Sequence, residues 1–101
     1  MTTITSELSQ DGQQLTLFIQ GRFDFSTHQD FRAAYEGHPG HLNYVVDLSA
    51  THYLDSSALG MLLLLRDHAG GDGVVVRLVN CTADVVKILT ISNFSKLFQL
   101  S

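Results

Sequence analysis

The sequence predicts an α/β fold: a mixed β-sheet of four to five strands with an N-terminal hairpin, covered by three to four helices. Two stretches of alternating hydrophobicity flank Asp11-Gly12, and from residue 44 onward short apolar stretches alternate with stretches of helical periodicity. The chain has 101 residues, of which 45% are hydrophobic, and this suffices for one core. We therefore expect a single domain over residues 1–101.

Composition argues against several classes of partner and location. The formal net charge of -4 disfavours the broad basic face that nucleic acid or anionic lipid requires. Cys81 is the single cysteine and cannot form an internal disulfide, which favours a reducing compartment. Residues 1–7 lack the features of a signal peptide, and no stretch approaches the roughly 20 apolar residues that span a bilayer. The expected location is cytoplasmic, with no nucleic acid partner and no membrane insertion.

The N-terminal hairpin is predicted from two strands, residues 2–8 and 14–20. Asp-Gly is a frequent pair in tight turns between antiparallel strands, and Asp11-Gly12 lies between the two stretches. Residues 21–25 begin with a glycine and are expected to break the second strand.

The first helix is predicted from a capping pattern. Ser26 is followed three positions later by Gln29, which is the spacing of a capping box, and the helix is expected to run through Tyr35. Gly37 is expected to end it. Residues 37–41 contain proline and two glycines and should form a loop.

The second half of the chain alternates strand and helix patterns. Residues 44–48 are short, β-branched and apolar, as is typical of an internal strand. A helix over 57–68 and a glycine-rich turn precede a second buried strand over 74–79. Thr82 is well placed as the N-cap of a further helix that reaches about Ile91. The pattern leaves the last residues open between a short strand and the start of a helix.

The helix near Ser57 has more apolar surface than one buried face requires, because residues 58–65 are apolar almost all round. At about 100° per residue, one side holds Ala58, Leu62 and Leu65, flanked by Leu59 and Met61. The opposite side holds Ser57, Gly60, Leu64 and Asp67. If the first set packs on the sheet, Leu64 and part of Leu63 remain exposed, which indicates a partner surface; a covering loop is the alternative. Gly60 removes bulk from this side and allows close approach.

Two serines at the start of this helix allow two interpretations. Asp and Ser before a helix are most often N-caps, worth about 1 kcal/mol each, so Asp55 or Ser56 is expected to cap the helix. Phosphorylation is the second interpretation, because a helix N-terminus stabilises anionic oxygens. A phosphate adds about -1.5 to -2 charge at pH 7, which would disrupt an apolar docking surface.

The strand, loop and helix around these serines resemble a known family. Residues 45–48 read Val-Val-Asp-Leu and residues 53–60 read Tyr-Leu-Asp-Ser-Ser-Ala-Leu-Gly. This is similar to the apolar-Asp-Leu and Asp-Ser-Ser-Gly-Leu-Gly pattern of the STAS domain, the fold of bacterial anti-sigma factor antagonists. Residues 21–24, Gly-Arg-Phe-Asp, resemble that family's Gly-x-Leu-Asp turn, and residues 79–80 and 87–89 resemble its later strand and helix.

The resemblance implies a partner switch. In the family the second serine of the pair, here Ser57, is phosphorylated by a partner anti-sigma factor that is itself a kinase, and Asp55 matches the neighbouring aspartate. The unphosphorylated antagonist binds the anti-sigma factor and so frees a sigma factor. A metal-dependent serine/threonine phosphatase restores this form. Ala58 departs from the family's glycine and weakens the carry-over of kinase recognition.

The helix stripe and the resemblance together define an expected docking surface. Ser57 is the expected phosphorylation site, with Ser56 as second choice. The surface comprises seven residues: Asp24, Asp55, Ser56, Ser57, Gly60, Leu63 and Leu64. Because no catalytic constellation is readable, the chain is expected to be no enzyme and to use no cofactor or metal; the loop histidines His38 and His41 have no other ligand types nearby.

Two other functions remain as alternatives. Some members of the resembled family are unphosphorylated small subunits of lipid-transport ATPase assemblies. A receiver domain is the other alternative, since Asp47 ends a predicted strand and receivers carry a phosphoaspartate there. Receivers also need further carboxylates for Mg²⁺ and a late lysine, whereas Asp24 is one carboxylate and Lys87 lies in a helix pattern.

Overall fold

A computed structural model describes residues 2–71 and 73–101 of the chain. Within these residues six strands and three helices follow one another. In chain order they are β1 (Thr3–Leu8), β2 (Gln14–Phe23), α1 (His28–Tyr35), β3 (Asn43–Asp47), β4 (Thr51–Leu54), α2 (Ser56–Ala69), β5 (Arg77–Val79), α3 (Ala83–Ile91) and β6 (Gln99–Leu100). Two single 3₁₀ turns, Phe25–Thr27 and Phe94–Lys96, lead into α1 and β6.

The strands form one mixed sheet in the order β1-β2-β3-β5-β6. β1 and β2 pair as an antiparallel hairpin, with Ile4 opposite Ile19. The pairs β2–β3, β3–β5 and β5–β6 are parallel, and β4 adds in parallel to the far end of β2. The predicted mixed sheet with an N-terminal hairpin is therefore confirmed, and within the undecided C-terminal segment Gln99–Leu100 form a strand.

The core lies between the sheet and the helices. Leu17 of β2, Val46 of β3 and Leu78 of β5 are fully buried, and Leu62 and Leu65 of α2 pack in the same cluster. Burying a leucine contributes about 1.5–3 kcal/mol, so these contacts fix α2 on the sheet and determine which face it leaves exposed. No helix among the described residues combines the length and hydropathy needed to cross a bilayer.

The predicted break after residue 20 is wrong, and the described residues form six strands where four to five were predicted, with β4 as an unpredicted one. β2 continues to Phe23 because Gly21 adopts φ +104°, which allows a bulge between Gly21 and Arg22 instead of an end to pairing. Past the bulge, β2 pairs with β4, and the N–H of Gly21 donates to the carbonyl of Ala50. β4 is short and polar in part, which is why its hydrophobic pattern did not mark it as a strand.

Two other boundaries differ from the prediction. The capping box at Ser26 is absent, because the Ser26 hydroxyl donates to the Asp24 carboxylate, and α1 begins at His28. The strand predicted over 74–79 pairs only over Arg77–Val79, where its carbonyls and amides meet β3. Buried Val76 precedes it, and the Val76 carbonyl accepts from the Gln99 N–H.

Candidate docking surface and switch serine

The start of α2 is fixed by a carboxylate cap. Asp55 has extended backbone angles, φ -110° and ψ -178°, and its Oδ1 accepts from the Ala58 N–H at 3.0 Å. Ser56 is already the first helical residue and is exposed. The predicted role of Asp55 as cap is confirmed, and that of Ser56 as cap is wrong, because the aspartate one position earlier already occupies the N-cap.

Loss of this cap should be measurable as a change in stability. We expect Asp55→Ala to lower the free energy of unfolding by about 1 kcal/mol, because the Ala58 N–H loses its acceptor. Asp55→Asn should retain most of the stability, since asparagine caps nearly as well. Urea unfolding measures both. Ser56→Ala is the control and should change stability by less than about 0.5 kcal/mol; a larger loss for Ser56→Ala than for Asp55→Ala would contradict this capping assignment.

The two sides of α2 are those that its periodicity predicted. The buried side consists of Ala58, Met61, Leu62, Leu65 and Ala69. On the other side Leu64 is 51% exposed and Leu63 is 37% exposed, and Gly60 is exposed as well. Ser57 is half-buried on this stripe. The exposed leucine pair beside a hydroxyl forms an apolar surface that no loop of residues 2–71 and 73–101 covers.

An apolar groove begins at Ser57 and runs along this stripe. The residues that line it are Phe25, His28, Ser57, Gly60, Met61 and Leu64, and its volume is about 290 Å³. Phe25 lies in the turn between β2 and α1, and His28 is the first residue of α1, so the groove lies between the starts of two helices. Phe25, His28 and Met61 were not among the predicted site residues. The sequence signal for Phe25 was the run Phe23-Asp24-Phe25. In the structure the chain bends there, so that the Phe23 ring is buried and the Phe25 ring is 74% exposed.

Asp24 lies directly before this groove, in the turn that carries Phe25. Its carboxylate accepts from the Ser26 N–H at 3.0 Å and lies 3.3 Å from the Arg22 Nε. The hydrogen bond from the Ser26 hydroxyl, with a further contribution from the Arg22 guanidinium, lowers the pKa of Asp24 below its ordinary value. The Arg22 Cζ in turn lies 4.2 Å from the centre of the Tyr53 ring. The carboxylate therefore stays ionised near neutral pH and is engaged within the chain, where it shapes the turn.

Asp47 and Cys81 lie near the ends of β3 and β5. One Asp47 oxygen accepts from the Ser49 N–H at 2.9 Å and the other from the Asn80 side-chain amide at 3.0 Å. These bonds hold the pKa of Asp47 below its ordinary value against the opposing effect of burial. Burial raises the pKa of the Cys81 thiol above its ordinary value. Lys87 lies exposed on α3, as its helix pattern predicted.

Comparison with known proteins agrees with this architecture. Residues 6–99 match the family model described as Mlab, STAS domain. A STAS-domain containing protein of Pseudomonas aeruginosa (strain UCBPP-PA14) is 62% identical over 99 residues, which cover 97% of this chain and 98% of that protein.

Solved structures give the same result. The STAS domain of an antisigma-factor antagonist from Rhodobacter sphaeroides is 30% identical, covers 79% of this chain and 87% of its own, and has a TM-score of 0.63. An anti-sigma factor antagonist from Mycobacterium paratuberculosis shares the fold with a TM-score of 0.79 at 21% identity, over 99% of this chain and 85% of its own. The anti-sigma factor antagonist SpoIIAA in its unphosphorylated form shares the fold with a TM-score of 0.70 at 15% identity. The match covers 88% of this chain and 83% of SpoIIAA. The chain belongs to the STAS-domain family, as its residues around Ser57 predicted.

Proposed function

We propose that this chain is an anti-sigma factor antagonist that acts as a phosphorylatable binding module in the cytoplasm and catalyses no reaction of its own. In its unphosphorylated form it binds an anti-sigma factor and so frees a sigma factor. A kinase, which is the anti-sigma factor itself or acts with it, phosphorylates Ser57, and a metal-dependent serine/threonine phosphatase restores the hydroxyl. The observation that carries the proposal is the position of Ser57 at the end of an uncovered apolar groove.

Electrostatics support a switch at this position. Ser57 lies in the first turn of α2, where the free N–H groups and the helix dipole stabilise an anion by about 0.3–1 kcal/mol. The folded domain therefore tolerates a phosphate there. A partner does not, because about -1.5 to -2 charge at the end of an apolar groove, with Asp55 nearby, must be desolvated when the groove is covered. Phosphorylation thus weakens docking without unfolding the domain.

The other residues of the docking surface have distinct roles in this proposal. Leu63 and Leu64 supply its exposed apolar area, and Gly60 allows the partner's backbone to approach. Asp24 shapes the neighbouring turn. Asp55 holds the start of α2, and Ser56, exposed beside Ser57, is the second-choice phosphorylation site.

Affinity capture identifies the partner class. The tagged chain, expressed in the cells from which it comes, should recover an anti-sigma factor, and mass spectrometry should identify it. The Leu64→Lys variant, expressed at the same level, is the matched control and should lose that protein. Recovery of a transport ATPase by the wild type, in place of an anti-sigma factor, would contradict the proposal and would favour the role in lipid transport.

Substitution at Gly60 should change stability and binding in opposite directions. Apart from its chain neighbours and its own helix backbone, a Cβ at this position meets no atom of the described residues within 4 Å. Gly60→Ala should therefore raise the free energy of unfolding by about 0.5–1 kcal/mol, because alanine has the higher helix propensity. It should lower affinity for the captured anti-sigma factor, because the methyl group occupies the path of a closely approaching backbone. Urea unfolding and calorimetry test the pair; a more stable variant with unchanged affinity would remove Gly60 from the docking surface.

A further inference from the structure

The turn between β2 and α1 carries an exposed ring, Phe25, which lies outside the seven-residue docking surface. Phe25 is 74% exposed, yet the backbone around it is held firmly. The Asp24 carboxylate accepts from the Ser26 N–H, and the Asp24 carbonyl accepts from the N–H and the hydroxyl of buried Thr27 at 3.0 and 2.8 Å. A ring on a fixed turn loses little conformational entropy when a partner covers it, which suits it to be an anchor.

Phe25 and His28 form an aromatic ridge. Their rings stack with centres 6.2 Å apart and planes 19° apart. This ridge lines the apolar groove beside Ser57. A second depression, also of about 290 Å³, shares Phe25 and His28 with that groove and is lined in addition by Ser26, Gln29 and Asp30. The two depressions therefore differ in chemistry while sharing one wall.

The second depression contains the carboxylate of Asp30, which lies in the first turn of α1. Asp30 forms no ion pair within residues 2–71 and 73–101. The two arginines of the flanking segments are already engaged, Arg22 with Asp24 and Arg32 with Glu36. An exposed carboxylate beside hydroxyl and amide groups fits a cationic side chain, whereas the apolar groove fits an aliphatic one.

We propose that the partner's docking segment crosses the aromatic ridge, with Phe25 as its anchor, an aliphatic side chain in the groove beside Ser57 and a lysine or arginine over Asp30. This rests on the proposed function, since it names the chemistry of the protein that binds the same surface. It also separates two contributions. A phosphate on Ser57 weakens binding of the aliphatic side chain in the groove. The contact between the partner's lysine or arginine and Asp30 determines which partner binds.

Calorimetry with the purified anti-sigma factor recovered by affinity capture tests the anchor. Phe25→Ala should lower affinity about tenfold or more, because an exposed aromatic anchor is lost. Ile91→Ala is a matched control, since Ile91 is 73% exposed but lies at the end of α3, outside both depressions; it should leave affinity unchanged. If Phe25→Ala binds like the wild type while Ser57→Asp does not bind, the inference fails and the proposed function stands. If no anti-sigma factor is recovered, both fail.

Asp30→Asn tests the cationic half. It should lower affinity about two- to fivefold at low salt and should reduce the salt dependence of binding, as expected for loss of one exposed ion pair. Unchanged affinity and salt dependence would overturn the proposed cation. Sedimentation of the chain alone tests a different occupant: a wild-type dimer that Phe25→Ala converts to a monomer would show that a second copy covers the ridge, and would overturn the inference.

Discussion

Ser57→Asp is expected to lower affinity for the captured anti-sigma factor about tenfold or more. Ser57→Ala should bind with the affinity of the unphosphorylated wild type and should stay bound in cells for longer. The carboxylate places a negative charge at the end of the apolar groove, where a bound partner must desolvate it. The alanine cannot accept a phosphate and leaves the groove uncharged. Calorimetry with purified proteins, and capture from cells, measure the two effects.

The loss with Ser57→Asp should not come from unfolding. A negative charge in the first turn of α2 is favourable to the helix dipole, so the melting temperature should stay the same or rise slightly. Ser56→Asp is the matched control, because it adds the same charge one residue earlier at an exposed position. It should weaken binding much less. Equal affinities for Ser57→Asp and Ser57→Ala would remove Ser57 from the switch.

Leu64→Lys is expected to cost about 2 kcal/mol or more of binding free energy with little change in melting temperature. Leu64 lines the groove and is 51% exposed, so its side chain contributes little to the core. Leu62→Ala is the contrasting change two residues away, at a fully buried position. It should lower the free energy of unfolding by about 2–5 kcal/mol. A large loss of stability with Leu64→Lys would show that the exposed face of α2 had been misassigned.

The elements that the sequence predicted well are those in which local pattern and tertiary packing agree. The alternating strands around Asp11-Gly12 form the hairpin, and the stripe of Ala58, Leu62 and Leu65 is the buried side of α2. In both, the hydrophobic period directly selects the face that packs. The family pattern of residues 45–60 predicted the fold and the comparisons bear it out.

The features that sequence did not predict depend on contacts between distant segments. β4 is a strand only because the bulge at Gly21 lets β2 continue alongside it. The predicted capping box does not form because the Ser26 hydroxyl donates to the carboxylate of Asp24, a residue outside the Ser26–Gln29 motif. Phe25 and His28 line the groove because the segment after β2 lies against the start of α2. These segments are distant in sequence, so residue spacing could not predict the contact.

Mapping of phosphate on the chain, purified from its own cells in partner-bound and partner-free fractions, tests the central claim most directly. Tandem mass spectrometry should find phosphate on Ser57 in the partner-free fraction and an unmodified Ser57 in the complex with the anti-sigma factor. Phosphoserine should survive mild hydroxylamine. The same occupancy of Ser57 in both fractions, or a hydroxylamine-sensitive phosphate on Asp47, would contradict the switch.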